Sequence, residues 1–300
     1  MSFAPRARFE WHLRTRSLAV GERTRIMGIL NVTPDSFSDG GHFYTPEHAP
    51  ERALAQALRM LDEGAQILDI GGESTRPNAI PLAAEEEQSR ILPVIEAILK
   101  QKPDAILSID THHATTAALA IEAGAEIVND VSGHLWDSAM SKTCAQLGCG
   151  TVLMHTRGRP RDWTALPQLA EVEIVPLVLS GLRERIETAI GAGIMRNRIV
   201  LDPGFGFGKR LDENYPLLAH LDRLKSLNLP ILVGVSRKSF LGQALAPWHD
   251  VTPPTTEARL HATTAANVAA ILGGAHILRT HEVHPAVEAA AIADRILAAS

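Results

Sequence analysis

Eight short, almost continuously apolar runs, each followed by a longer stretch of helical character, constrain this chain more than any other feature. The runs cover residues 25–32, 66–70, 105–109, 126–131, 151–154, 199–201, 230–235 and 275–278. Such runs suit strands covered on both faces. In the first intervening stretch Leu54, Leu58 and Leu61 fall at i, i+4 and i+7 and share a helical face. Thr45-Pro46-Glu47 supplies a cap, a first-turn proline and an early acid, and Gly64 a stop. Further helices are expected over about 84–100, 114–123, 138–147, 167–192, 213–225, 257–272 and 285–298. Eight strand-then-helix units predict an α/β fold of the (β/α)₈ barrel type. Alternation alone also suits an open, doubly wound sheet. The 300 residues exceed the usual barrel length of about 250. Residues 24–300 are expected to form one barrel domain. Residues 1–23, where Phe9, Trp11 and Leu13 alternate with polar residues, are expected to form a short hairpin closing its bottom.

Composition narrows the partners. A net charge of −5 provides no basic field for nucleic acid or an anionic membrane. The two cysteines, Cys144 and Cys149, are too few for a zinc site or a disulfide framework. No apolar run approaches the roughly 20 residues of a spanning helix. The basic start lacks the apolar stretch of a signal peptide, so a cytoplasmic protein is expected.

Polar residues gather at one end of each apolar run: Asn31, Asp69, Asp110, Asn129-Asp130, His155, Asp202, Ser236-Arg237-Lys238 and Arg279-Thr280-His281. In a barrel all such ends converge on one rim, where active sites lie. Each has a bland alternative. Asp110 suits a helix cap, Asp202 a turn before proline, Asn129 a loop amide, Lys238 a solvated face and His281 a surface imidazole. Recurrence at equivalent positions of a repeated unit favours a shared site. Gly204, Gly206 and Gly208 alternate through DPGFGFGK and suggest close approach of backbone to a flat ligand. Neither a Walker loop nor a first-strand dinucleotide fingerprint is present.

Long blocks of the chain resemble the dihydropteroate synthase family of pterin-binding enzymes. MGILNVTPDSFSDGG at 27–41, DIGGESTRP at 69–77 and DPGFGFGK at 202–209 carry the resemblance. IDT at 109–111, VND at 128–130, SRKS at 236–239 and RTH at 279–281 follow the family's remaining blocks in order. The resemblance implies a transferase of folate biosynthesis. In that reaction 4-aminobenzoate displaces diphosphate from the methylene of a 6-hydroxymethyl-7,8-dihydropterin diphosphate, with Mg²⁺ accompanying the diphosphate. It also implies inhibition by sulfonamides and a homodimer built on late helices; the alanine-rich stretch 262–270 suits either close helix contact there or an ordinary barrel-facing helix. Corrinoid methyltransferases share the pterin barrel but need a cobalamin carrier, and no segment here reads as one.

The resemblance and the chemistry of the residues together suggest roles. A carboxylate complements the adjacent N–H donors of a pterin edge. Asp202 is expected there, with Asn129 and Asp110 on the same ring, Lys238 donating to its carbonyl, and Met154 beneath it. A paired Asp202 and Lys238 would offset the burial of either charge. Arg279 and His281 lie two apart and would point the same way to grip diphosphate, with Arg76 closing over it. Asn31 offers an oxygen to Mg²⁺. Phe37, Thr75, Pro77, Phe207 and Ser236 are expected around 4-aminobenzoate. Asn78 stands where the family pattern has glycine, and Thr156 where it often has methionine.

Overall fold

The computed structural model describes residues 3, 5–33, 49–73, 82–248, 255 and 257–300. The expectations for Phe37, Thr75, Arg76, Pro77, Asn78 and the 45–47 cap lie outside them. The chain opens with an antiparallel hairpin, β1 (Phe9–His12) and β2 (Ser17–Val20). Barrel strands follow: β3 (Arg25–Asn31), β4 (Ile67–Gly71), β5 (Ile106–Asp110), β6 (Ile127–Asp130), β7 (Gly150–Met154), β8 (Ile199–Asp202), β9 (Leu232–Val233) and β10 (Ile277–Thr280). They form one parallel sheet in the order β8-β7-β6-β5-β4-β3-β10-β9. Its two ends meet through a parallel bridge between Leu201 and Ile231 and a 2.9 Å bond from the Leu201 N–H to the Pro230 carbonyl. The sheet closes, so the open doubly wound alternative falls and the barrel expectation holds.

The helices are α1 (Ala49–Asp62), α2 (Ala84–Gln101), α3 (Ala114–Glu122), α4 (Met140–Leu147), α5 (Glu171–Gly191), α6 (Asn214–Ala219), α7 (Ser239–Leu245), α8 (Leu260–Leu272) and α9 (Val283–Ala298). Two details depart from the periodicity. The expected 213–225 helix is split into α6 and a 3₁₀ turn at Leu221–Leu227, and α7 adds a helix after β9. In α1 the face pressed on the barrel is Ala53, Ala57 and Met60, while Leu54 and Leu61 flank it. Small residues let the helix approach the sheet, and the larger leucines fill the space beside it.

A strand's period of two explains how the barrel is layered. Outward residues such as Ile26, Leu68, Leu107, Val128, Leu153, Leu201 and Leu278 form the core between sheet and helices. Inward residues near the strand starts, Met27, Ile67, Ile127, Val152, Val200, Leu232 and Ile277, form a separate apolar layer with Trp11, Leu13 and Val20 of the hairpin region. The hairpin is therefore the floor of the barrel, as expected. Trp11 Nε1 donates to the Arg198 carbonyl at 2.9 Å, and the buried Glu126 accepts the Thr15 N–H at 2.8 Å. A Cβ on Gly150 would lie 2.9 Å from Leu13 Cδ2 and 3.2 Å from Trp11 Nε1, so a bare backbone there seats the floor.

Candidate active site

Two residues beyond the floor layer, each strand again points inward, and the side chains change character. Ile67 is succeeded by Asp69, Ile106 by Ser108, Ile127 by Asn129, Val152 by Met154, Val200 by Asp202 and Ile277 by Arg279. One step higher, register places Asn31 against Gly71, Gly71 against Asp110, and Asp110 against Asn129. The mouth is thus lined by acids, amides and a cation because period-two alternation carries the floor's inward face to the rim.

Arg279 is the hub. Its Nε meets Asp69 Oδ2 and its Nη2 meets Asp110 Oδ2, each at 2.6 Å. Asn129 Nδ2 donates to the same Asp69 oxygen at 2.9 Å. Gly234, just after β9, packs against this side chain: a Cβ there would lie at ordinary contact distance, 3.7 Å from Arg279 Cβ. Burial pulls the guanidinium's proton affinity down, but Asp69 and Asp110 more than reverse it, so Arg279 is held charged. Burial pushes the Asp110 carboxyl up to about 7, against the opposing pull of Arg279. Asp110 is not a helix cap, since α3 begins after His113. Asp69 carried no role in the sequence reading, although the strand-end pattern included it. Only the fold reveals that it holds Arg279 and Asn129 together.

Asp202 Oδ1 accepts the Gly204 N–H at 2.7 Å. Burial lifts its pKa to about 6, with that bond and Lys238, Arg279 and Lys209 pulling the other way. Lys238 forms no ion pair with it. The ammonium sits 4.1 Å from the centroid of the Phe207 ring, a cation–π contact, and burial with Arg279 lowers its pKa to about 8. The expected direct pair is replaced by two nearby charges that act through space. Phe207 packs with Val131 and the predicted Met154, edge-on to Trp163 at 5.4 Å, so one function of its ring is to seat Lys238.

The glycine-rich loop after β8 runs through left-handed backbone. Gly204, Gly206 and Gly208 all have positive φ, of 68°, 80° and 68°. A Cβ at Gly204 would lie 2.0 Å from the His155 carbonyl, and one at Gly208 would lie 2.6 Å from Arg157 Cβ. Gly204 and Gly208 admit the neighbouring 155–157 backbone, whereas Gly206 faces the Lys238 side chain. Lys209 Nζ, buried, ties the loop by donating to the Gly204 carbonyl at 2.7 Å and the His155 carbonyl at 3.3 Å. Sequence reasoning gave Lys209 no role, because a lysine that only closes a loop carries no local signature.

Ser236 and His281 meet elsewhere on the rim. Ser236 Oγ lies 2.9 Å from His281 Nδ1, and the His281 N–H donates to it at 3.2 Å. His281 follows β10 and engages Ser236, whereas Arg279 engages the acids. The structure therefore brings Asp110, Asn129, Asp202, Lys238, Met154, Phe207 and Arg279 to one mouth, with Asn31, Ser236 and His281 at the strand ends around it.

Comparison with known proteins agrees with this geometry. The family model described as "Pterin binding enzyme" matches residues 27–281. The dihydropteroate synthase of Synechocystis sp. is 40% identical over 276 residues, spanning 92% of this chain and 91% of that protein. The Xanthomonas albilineans dihydropteroate synthase, solved with 4-aminobenzoic acid, superposes with a TM-score of 0.85 at 39% identity, covering 97% of this chain and 99% of that one. The Yersinia pestis dihydropteroate synthase in a sulfonamide complex gives a TM-score of 0.85 at 40% identity, covering 97% and 100%. The chain belongs to the pterin-binding enzyme family, and within it to the dihydropteroate synthases, the transferases that make dihydropteroate.

Proposed function

We propose that this rim holds 6-hydroxymethyl-7,8-dihydropterin diphosphate and 4-aminobenzoate together and joins them into 7,8-dihydropteroate, releasing diphosphate. The observation that carries the reading is the meeting of Asp202, Asn129, Lys238 and Arg279 at one barrel mouth. Asp202 accepts the pterin's adjacent N–H groups, and the Gly204 N–H fixes its carboxylate plane. Asn129 donates through Nδ2 to Asp69, and its oxygen accepts from a ring donor. Lys238 donates to the pterin carbonyl, Asp110 serves the same ring, and Met154 lies beneath it. Arg279 and His281, with Arg76, receive the diphosphate.

The displacement is SN1-like. The methylene C–O bond breaks with its electron pair leaving on diphosphate, and the pterin ring nitrogen stabilises the methylene cation. The neutral arylamine then attacks and loses a proton. Preorganised cations favour this path because they meet charge that grows as the bond breaks. Phe37, Thr75, Pro77, Phe207 and Ser236 surround 4-aminobenzoate. The residues present fit an accompanying Mg²⁺. Asn31 supplies one neutral amide oxygen at the rim while the nearby carboxylates Asp69 and Asp110 are engaged by Arg279, which suits a hard cation ligated mostly by diphosphate and water. When bound, the ion neutralises charge on the leaving diphosphate.

The partner reading extends to a homodimer through α8 and α9. On α9, Ile292 and Ile296 are 61% and 39% exposed, and on α8, Ala265 and Ala269 face outward. The free, buried thiols of Cys144 and Cys149 support a cytoplasmic location, and no helix among the described residues is long and apolar enough to cross a membrane. Residues 24–300 are taken as one domain with 1–23 as its floor, and sulfonamides are expected to compete with 4-aminobenzoate.

The decisive measurement is diphosphate release from the dihydropterin diphosphate with and without 4-aminobenzoate. Release that depends on the amine supports the reading, and no release in either case removes it. Asp202→Asn is expected to weaken pterin binding about 30-fold, the loss of about 2 kcal/mol for a hydrogen bond to a charged group. Affinity within a few-fold of the parent would reassign that carboxylate.

A further inference from the structure

We infer that Glu73, His112 and His113 form a binding site for a transition metal ion of the Zn²⁺ class, on the flank of the rim and separate from the Mg²⁺ that accompanies diphosphate. The register of β4 and β5 pairs Gly71 with Asp110, so the residues two beyond each, Glu73 and His112, leave the sheet side by side. His113 follows at the start of α3. One ligand atom from each of the three lies within 4.8 Å of the others. Glu73 Oε2 and His112 Nδ1 are 3.6 Å apart. Tetrahedral zinc with bonds of about 2.0–2.1 Å sets its ligand atoms about 3.4 Å apart, close to the Glu73–His112 spacing, and His113 completes the set by moving inward.

The surroundings orient these ligands. Glu73 Oε1 accepts the Leu82 N–H at 3.2 Å while Oε2 faces His112. The imidazoles lie 4.1 Å apart between ring centroids, and Trp136 packs edge-on against His112 at 5.1 Å. Behind His113 stands Glu87, fully buried. Its Oε2 accepts the Thr111 hydroxyl at 2.7 Å and lies 3.2 Å from His113 Nδ1. Its Oε1 is buried without a partner. A carboxylate behind an imidazole is the arrangement that aligns metal-bound histidines. Two imidazoles and a carboxylate suit Zn²⁺, Co²⁺ or Ni²⁺ and not Mg²⁺, which prefers oxygen ligands alone. With three protein ligands, the fourth position is left to water.

The test uses the full-length protein, stripped with a chelator and free of Mg²⁺ and pterin substrate. Co²⁺ is titrated while its visible spectrum is followed, and Zn²⁺ affinity is measured by competition with a chromophoric chelator. We expect one equivalent of Co²⁺ with the intense bands of a low-coordinate site. His112→Gln and Glu73→Gln are each expected to weaken Zn²⁺ binding at least tenfold, and Glu87→Gln about tenfold through His113. The exposed His261→Gln and the rim variant Asn31→Ala should leave affinity unchanged. Circular dichroism identifies any variant that fails to fold, and the remaining ligand variant then decides. The weak spectrum of hexa-aquo Co²⁺, or a His112→Gln protein that binds Zn²⁺ as the parent does, overturns the site and reduces the cluster to hydrogen bonds.

Discussion

Asp69 is the residue through which the candidate site is held together, since one of its oxygens receives both Arg279 and Asn129. Replacing it leaves a buried guanidinium with a single carboxylate partner. Asp69→Ala is therefore expected to destabilise the fold by about 3 kcal/mol, read from urea unfolding, because removing one member of a buried charge pair strands the other. It should also lower kcat for diphosphate release, since Arg279 loses its aim. Unchanged stability and kcat would show that Asp110 alone suffices. A pH profile reports on Asp202 and Lys238. The Asp202 carboxyl, raised to about 6, must be ionised to accept pterin N–H groups, and Lys238, lowered to about 8, must stay protonated to donate. The value of kcat/KM for the pterin substrate is expected to rise through about pH 6 and fall above about pH 8. The limbs belong to the coupled set rather than to either residue alone. A flat profile between pH 5 and 9 would contradict both roles.

At the scale of elements, the β1–β2 hairpin and the loop after β8 are the two pieces that hold the barrel's ends. Trp11 fills the floor, so Trp11→Ala is expected to cost about 3–5 kcal/mol through the cavity it leaves. The floor lies one inward layer below the rim, so kcat of the protein that remains folded should stay near the parent value. A large fall in kcat without loss of stability would mean the floor communicates with the site. Gly208 carries the opposite prediction. Its positive φ and the closeness of Arg157 leave no space for a side chain. Gly208→Ala is expected to shift the loop that anchors Lys209 and to lower both stability, by about 2 kcal/mol, and pterin affinity. Thermal unfolding and pterin titration check the pair of effects, and an unchanged protein would show that the loop relaxes freely.

For the whole molecule, closure of the sheet decides the outcome. Deleting residues 1–23 would uncover the inward layer of Met27, Ile67, Val152 and Ile277, so the truncated chain is expected to bind a hydrophobic dye and to aggregate on mild heating. A soluble truncation with unaltered unfolding would show that the floor is dispensable. Most of the architecture was legible beforehand because apolar runs and helical spacing are local properties, and the buried strands recur where the runs fall. Asp110, Asn129, Asp202 and Arg279 were legible for the same reason: each ends a repeated unit, and the matching blocks are long. What the letters could not contain were distances between groups far apart in the chain. That Asp69 serves two partners, that Lys238 rests on Phe207 instead of pairing with Asp202, and that Gly204 and Gly208 admit the 155–157 backbone all follow from shear and closure of the barrel. So does the meeting of Glu73 with His112 and His113. Pattern along a chain sets which faces are apolar and which strand ends are polar. Only the closed sheet sets which of those ends touch, because hydrogen-bond register between strands is a collective property that no single segment specifies.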